Sequence, residues 1–451
     1  MTRRAIVVGA GLAGLTTADL LVAGGWEVVV LEATGRIGGR TFTRSDPFID
    51  GQHAEAGAEW VDTVHHRIHG LIDRFGLEVD NQRTTWTAVR RWLFREGRLL
   101  GPADMDSIDP LLGADLDRFE DRIAEISAGI AHASHPELHP EAERYDALSV
   151  ADLIEELQLG TLARVFAQRN MEGEFASEPA EVSLLFIAQQ RKVYAECCDN
   201  SVGHGAVEAQ RMSGGGISSI ALALAAGLPA GTIRLGEPVA AVDVLADGGG
   251  VRVETTAGAH EADVVVLATS LHGLRQVQFS PPLGVELDAA IHGLGYGTVT
   301  KTALQYPVRT WPGGYATTEG RAQRVYEPTA SRAGADDAGI LMAYTGGDGG
   351  RELATLSEAE RMEAIESSER EMYPGLPPSI GGFSQAWSSE PFFGGSYAVY
   401  RPGEITRFWR VLREQHGVIH LAGEHTATWT GYLEGAVESG ELVAARLLNT
   451  D

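Results

Sequence analysis

The chain opens on a short apolar run, Ala5-Ile-Val-Val8, passes through glycines, and continues with apolar residues at helical spacing from Leu15 to Val22. A second apolar run, Trp26-Glu-Val-Val-Val-Leu31, follows. Uninterrupted β-branched runs of this length read as strands covered on both faces, so the opening predicts a strand–turn–helix–strand unit. Ile68, Leu71, Ile72 and Phe75 fall on one face of a helix predicted over 68–75. Residues 103–190 are acidic, helix-forming and poor in strand signals, which predicts a mostly helical insertion. Ser213-Gly-Gly-Gly216 ends it, and a helix is predicted over Ile217–Ala226. Short strands are then predicted at Thr232–Leu235, Val239–Val244, Val251–Thr255 and Asp263–Thr269, the last of parallel, buried type. Ser357, placed before Glu360 in a capping-box pattern, should open a helix over Glu358–Met372 that Pro374-Gly375 closes. A last strand, Val418–Gly423, meets glycine, and Tyr432–Leu448 reads as a helix with Leu433, Ala436, Val437 and Leu442 apolar. No repeat or coiled-coil heptad is present.

With 451 residues the chain exceeds what one core usually organises, so two domains are expected. A formal net charge of −26 disfavours nucleic acid and anionic membrane as partners and favours cationic small molecules. Cys197 and Cys198 are the only cysteines and are adjacent, which rules out a disulfide framework. Neither a glycosylation acceptor, a signal peptide nor a membrane-length apolar window is found, so a cytoplasmic location is expected. His65, His66 and His69 lie close together; they read as a solvated helix face, and no metal site is expected.

Gly9-Ala-Gly11-Leu-Ala-Gly14 sits between a predicted strand and a predicted helix. In that context the glycines allow a tight turn, close approach to a pyrophosphate and close helix packing, with the helix N-terminus facing the anion. Glu32 ends the next strand, where a carboxylate accepts from ribose hydroxyls. These features predict a dinucleotide site without choosing the dinucleotide.

Gly35-Arg36-Ile-Gly-Gly39-Arg40-Thr41 continues from there, and with it the chain resembles the glutathione-reductase-type FAD-binding group, in its flavin amine oxidase branch. The likeness extends to Glu55-Ala-Gly57-Ala58-Glu59-Trp60-Val61, which resembles the segment beside the flavin ring, to Pro238-Val239-Ala240 at the adenine, and to Lys301 in Thr300-Lys-Thr302 after a predicted strand. It is most specific at Trp387, Phe392–Tyr397 and His420–Gly440, where Gly423, Glu424, Tyr432, Leu433 and Ala436 would hold the cofactor. The resemblance implies an α/β architecture: a Rossmann-like FAD-binding domain of residues 1–80, 205–290 and 385–451, with a second, α+β substrate domain of residues 81–204 and 291–384 inserted discontinuously. It implies Lys301 holding a water near flavin N5, and Tyr397 and Tyr432 as a facing pair that pins an amine by its π faces. Ser396 stands where covalently flavinylated relatives carry cysteine, so the FAD is expected to be non-covalent.

The resemblance further implies oxidation of a carbon–nitrogen bond to an imine, with dioxygen taking the electrons as hydrogen peroxide. Asp62 and Glu174 resemble the acidic tunnel positions of polyamine oxidases, which leans the substrate towards a diamine or polyamine. An L-amino-acid oxidase would carry an arginine where Trp60 and Val61 stand, although Arg191 or Arg324 could replace it. A flavin-dependent desaturase shares the N-terminal fingerprint without needing the tyrosine pair, and a non-catalytic FAD scaffold would not need Lys301. The expected partners are the amine, dioxygen and, as a candidate, a second copy of the chain.

Overall fold

The apolar runs pair as one parallel sheet. In the computed structural model, which describes residues 2–85, 88–197, 207–246, 249–328 and 337–449, Arg4–Val8 lies between Glu27–Glu32 and Val264–Leu267. Ile233–Leu235 adds to one edge and Ile419–Leu421 to the other, all parallel. Alternate residues of the first strand explain why it shows no alternation. Ala5 and Val7 pack with Leu15, Leu21, Ile220 and Val437 on one face, while Ile6 and Val8 pack with Val242, Val251 and Val253 on the other. The first face is covered by helices Leu12–Ala23, Ser218–Ala226 and Leu433–Leu448. The second is covered by a mixed four-stranded sheet of Gly258–Ala262, Val251–Thr255, Val239–Val244 and Gln278–Ser280. Gly9 turns the chain out of the first strand at φ +107°, where only glycine is unstrained, and a Cβ on Gly14 would stand 2.0 Å from the Gly9 carbonyl oxygen.

Residues 103–190 are mostly helical, as expected, with Leu112–Ala128, Thr161–Phe175 and Leu184–Cys197 the longest helices. The helix Glu358–Met372 carries its capping box: Ser357 Oγ accepts from the Glu360 amide at 3.4 Å and Glu360 Oε2 accepts from the Ser357 amide at 2.8 Å.

A second large sheet differs from what the pattern predicts. Seven strands run in the order Gly381–Ala386, Val299–Tyr306, Gly339–Gly346, Arg324–Tyr326, Tyr315–Thr318, Arg91–Arg95, Arg98–Leu100. Lys301 is therefore inside a strand and not after one. Every residue of Val299–Tyr306 is buried, yet it carries Thr300, Lys301, Thr302 and Gln305, so neither an alternating nor an all-apolar run marks it. The outer face of the sheet, with Leu304, Tyr306, Leu341 and Val325, packs on Ile365 and Met372 of the helix Glu358–Met372.

The histidine reading is corrected. His65 precedes the helix His66–Phe75 and is 1% exposed, its ring edge-on to Trp429 at 5.0 Å and to Tyr432 at 5.6 Å. Only His66 of the three is exposed. Among the described residues no three histidine, cysteine or acidic side chains converge as metal ligands, and no helix is long and apolar enough to cross a membrane. Cys198 lies outside the described residues.

Candidate active site

A cavity of about 1180 Å³ runs from the carboxyl ends of the parallel strands to the space between the seven-stranded sheet and the helical insertion. Gly9, Gly11, Glu32 and Val239 line its first end. Gly39, Arg40, Gly57, Ala58, Glu59 and Trp60 continue along one wall, and Trp387, Gly423, Glu424, Leu433 and Ala436 along another. Lys301, Tyr397 and Tyr432 follow, and Asp62 and Glu174 stand at the helical side. Two expected residues do not line it. Gly14 is spent on packing helix against strand, and the Arg36 guanidinium lies 4.2 Å from the centre of the Phe42 ring.

The cavity fits a dinucleotide. Helices Leu12–Ala23 and Leu433–Leu448 both point their N-termini at it, and neither has a side-chain cap, so their first amides are available to an anion. A Cβ at Gly11 would meet nothing within 4 Å, which leaves open space over the first helix. Glu32 accepts from the amides of Ala10 and Thr34, both at 2.8 Å, and from the Thr34 hydroxyl at 2.7 Å, and these bonds fix its carboxylate at the cavity wall with one Oε2 lone pair to spare.

Glu424 organises the middle. Its buried carboxylate accepts from Arg40 Nη1 at 2.8 Å, the Ala398 amide at 3.1 Å and the Gly431 amide at 2.9 Å. Ala398 and Gly431 adjoin Tyr397 and Tyr432, so one carboxylate sets the backbone on which both tyrosines stand. Arg40 also donates to the Ser396 carbonyl at 2.7 Å.

The seven-stranded sheet supplies the floor. Cross-strand register aligns Lys301, Tyr344, Arg324 and Thr317 in one row. Two residues along each strand, Tyr326, Tyr315 and Arg91 belong to the next row. Because side chains alternate with period two, these seven share one face, and all of them line the cavity. Lys301 is 3% exposed and donates to Glu59 at 2.8 Å and to the Gly57 carbonyl at 3.1 Å, which leaves one of its three N–H donors for the cavity. Glu59 also accepts from Arg211 at 2.6 Å and Tyr326 at 2.5 Å. Burial alone would raise the Glu59 carboxyl, but Lys301 and Arg211 overcome that and hold it at about 2. Burial and Glu59 together push the Tyr326 hydroxyl well above its usual range.

Tyr397 donates to the Glu174 carbonyl at 3.0 Å and so accepts from Tyr344, whose hydroxyl is 2.8 Å away. Glu174 and Asp62 line the cavity but are engaged: Glu174 accepts from Arg191 at 2.7 and 3.2 Å, and Asp62 accepts from Tyr194 at 2.6 Å. Sequence reasoning missed Tyr344, Tyr326, Arg211 and Tyr194. Tyr344 was within reach of it, since recognising Val299–Tyr306 as a strand paired with Gly339–Gly346 would have placed Tyr344 beside Lys301.

A family model described as flavin containing amine oxidoreductase matches residues 12–448. The chain is 28% identical over 464 residues to an L-amino acid dehydrogenase of Synechocystis sp., covering 98% of this chain and 94% of that one. It is 27% identical over 462 residues to the flavin-containing amine oxidase B of Homo sapiens, covering 98% and 86%. Among solved structures, cyclohexylamine oxidase from Brevibacterium oxydans IH-35A superposes with a TM-score of 0.85 at 22% identity over 99% of both chains. Putrescine oxidase bound to putrescine gives 0.85 at 23% identity over 100% of both, and these two likenesses speak for the fold. The match along nearly the whole chain, on a cavity with two open helix N-termini, makes this protein a member of the flavin containing amine oxidoreductases, an FAD-dependent enzyme that acts on amines.

Proposed function

We propose that the chain oxidises the carbon–nitrogen bond of a small amine whose nitrogen lies between Tyr397 and Tyr432. The observation that carries this reading is the grouping of Lys301, Tyr344, Tyr397 and Tyr432 at one end of a cavity whose other end fits a dinucleotide. FAD, when bound, supplies a two-electron acceptor. The tyrosine faces would orient the amine, the buried site would exclude bulk water, and the remaining Lys301 donor would hold one ordered water. The carbon beside the neutral nitrogen loses a hydride equivalent, leaving a protonated imine that water hydrolyses. Dioxygen is the proposed final acceptor, giving hydrogen peroxide. Ser396 donates to the Gly297 carbonyl at 2.9 Å and offers no thiol for a flavin linkage, so the cofactor is proposed to be removable.

The diamine reading rests on Asp62 and Glu174, and the Arg191 ion pair already answers the charge of Glu174. A second reading, an amine that also carries a carboxylate, is favoured by Arg324. Its guanidinium lies against Gly173, where a Cβ would be 2.3 Å from Nη1, and donates to the Arg169 carbonyl at 3.2 Å. Among the described residues no carboxylate pairs with Arg324, and Arg91 brings a second guanidinium whose pKa is lowered by burial and by the charge of Arg324. A relative named for L-amino acids agrees with this reading.

Anaerobic bleaching by putrescine, spermidine, benzylamine and L-amino acids tests both. If none of them bleaches the flavin, the amine reading falls. If L-amino acids bleach it, Arg324→Met is expected to weaken their half-saturation about thirtyfold, the worth of one charge-assisted hydrogen bond, while leaving benzylamine within about twofold. Equal losses for both substrates would remove the carboxylate role.

A further inference from the structure

An ion pair closes the cavity beyond the tyrosines. Arg191 Nη1 and Nη2 donate to the two oxygens of Glu174 at 2.7 and 3.2 Å, and Nε and Nη2 donate to the two oxygens of Glu120 at 3.1 and 3.4 Å. The Arg191 side chain is 10% exposed, that of Glu174 16% and that of Glu120 51%, so the bond to Glu174 is the inner one and Glu120 stands towards solvent. Three helices meet here: Leu112–Ala128 brings Glu120, Thr161–Phe175 brings Glu174, and Leu184–Cys197 brings Arg191. Both tyrosines of the proposed amine site adjoin the contact. The Glu174 carbonyl accepts from Tyr397 at 3.0 Å, and Tyr194, on the same helix face as Arg191, sets its ring edge-on to Tyr432 with centres 6.1 Å apart.

A guanidinium that grips both oxygens of a carboxylate takes the positions from which that carboxylate would receive another cation. Burial alone would lower the Arg191 pKa, but Glu120 and Glu174 hold it well above its ordinary value, so the group stays charged. Leu116 and Phe119 on the helix of Glu120, and Phe166 on the helix of Glu174, line the same cavity. The apolar far end of an amine can bury against these side chains. A distal ammonium would instead face Arg191 and find Glu174 already paired, losing its water without gaining a counter-ion.

We propose that Arg191 sets the substrate class: it stands where the distal ammonium of a diamine would pair with Glu174, and so confines the enzyme to amines whose far end carries no positive charge. Specificity of this kind comes from a repulsive element built against the competitor and not from an added contact to the substrate. Asp62, the other carboxylate of the diamine reading, accepts from the Tyr194 hydroxyl at 2.6 Å and stays in place in every variant below. The inference rests on the reading that the reacting nitrogen lies between Tyr397 and Tyr432.

The test compares pentylamine with 1,5-diaminopentane, which adds only the distal amino group, by anaerobic reduction of the FAD-loaded enzyme at pH 8, where free aliphatic amino groups are protonated. In native enzyme pentylamine should half-saturate reduction at a concentration about tenfold or more below that of the diamine. Arg191→Met keeps an aliphatic stem and gives up the charge, and it should shift the ratio of the two half-saturations towards the diamine by about thirtyfold, the worth of one charge-assisted hydrogen bond. Adding Glu174→Gln to Arg191→Met should bring the ratio back to within about threefold of native, because the carboxylate that the diamine gained is gone. A general loss of shape would weaken both amines alike and leave the ratio where it was. Should Arg191→Met fail to fold, Arg191→Gln, which still offers Glu174 a hydrogen bond, should shift the ratio the same way by about tenfold, and Arg191→Lys should keep the native preference. A native enzyme that takes the diamine as readily as pentylamine, a ratio unmoved by loss of the Arg191 charge, or a shift that survives Glu174→Gln overturns the proposal while the amine reading stands. A native enzyme reduced by none of the amines overturns the earlier reading, and this one with it.

Discussion

Glu424→Gln should destabilise the protein by about 3–5 kcal/mol and strip it of FAD, because it breaks a buried ion pair and unseats both tyrosines at once. The carboxylate holds Arg40, the Ala398 amide and the Gly431 amide simultaneously, and side-chain exposure of the Arg40–Glu424 pair is 23% and 7%. A glutamine of the same shape has one acceptor oxygen. At least one buried amide would lose its partner, and the Arg40 guanidinium would face an amide where it now has an anion. Thermal unfolding and equilibrium dialysis of the flavin together measure this. A variant that purifies yellow, with unchanged melting temperature and flavin affinity, would show that Glu424 is not the organiser described here.

Lys301→Met should retain FAD and slow flavin reduction or reoxidation about a hundredfold, the usual scale for one positioned proton-handling group. Stopped-flow measurement of the two half-reactions separates them, and unchanged rates in both would remove the lysine from the chemistry. The same substitution carries a stability signature. The Glu59 carboxyl is held at about 2, so its contribution is present above the ordinary carboxyl pKa and is lost as pH falls from there towards 2. Lys301 supplies part of that depression. The stability gap between native enzyme and variant should therefore be widest near neutral pH and narrow below about pH 4.

The parallel sheet was legible because burial on both faces writes itself as unbroken apolar runs: Ala5–Val8 and Val28–Leu31 have no polar face to show. The glycine turn was legible for a related reason, since Gly9 and Gly14 answer backbone demands that other residues cannot meet. The seven-stranded sheet was hidden because its inner face is a working surface. Lys301 and Tyr326 are buried, and Arg324, Arg91, Tyr315 and Tyr344 half-buried, polar groups answered by partners far away in sequence, such as Glu59 for Lys301. A pattern rule that equates burial with apolarity passes over such strands. Asp62 and Glu174 both line the cavity, but nothing local foretells that helix Leu184–Cys197 brings Tyr194 to one and Arg191 to the other. His65 failed for the same reason: its burial comes from Trp429, a residue of the closing segment.

The parallel sheet also sets a timetable. Arg4–Val8 pairs with Val264–Leu267, which pairs in turn with Ile419–Leu421, and the first helix packs against the last. At roughly 5–20 residues per second, a ribosome needs on the order of 20–80 s to deliver the outer strand after the first one emerges. Until the closing helix arrives, Leu15 and Leu21 lack Val437 and Val443, part of the surface that will bury them, which should make the nascent chain a client for holding chaperones. Cofactor loading must then follow synthesis, and chains that lose only the closing helix to a premature stop should be cleared by proteolysis before they ever turn yellow.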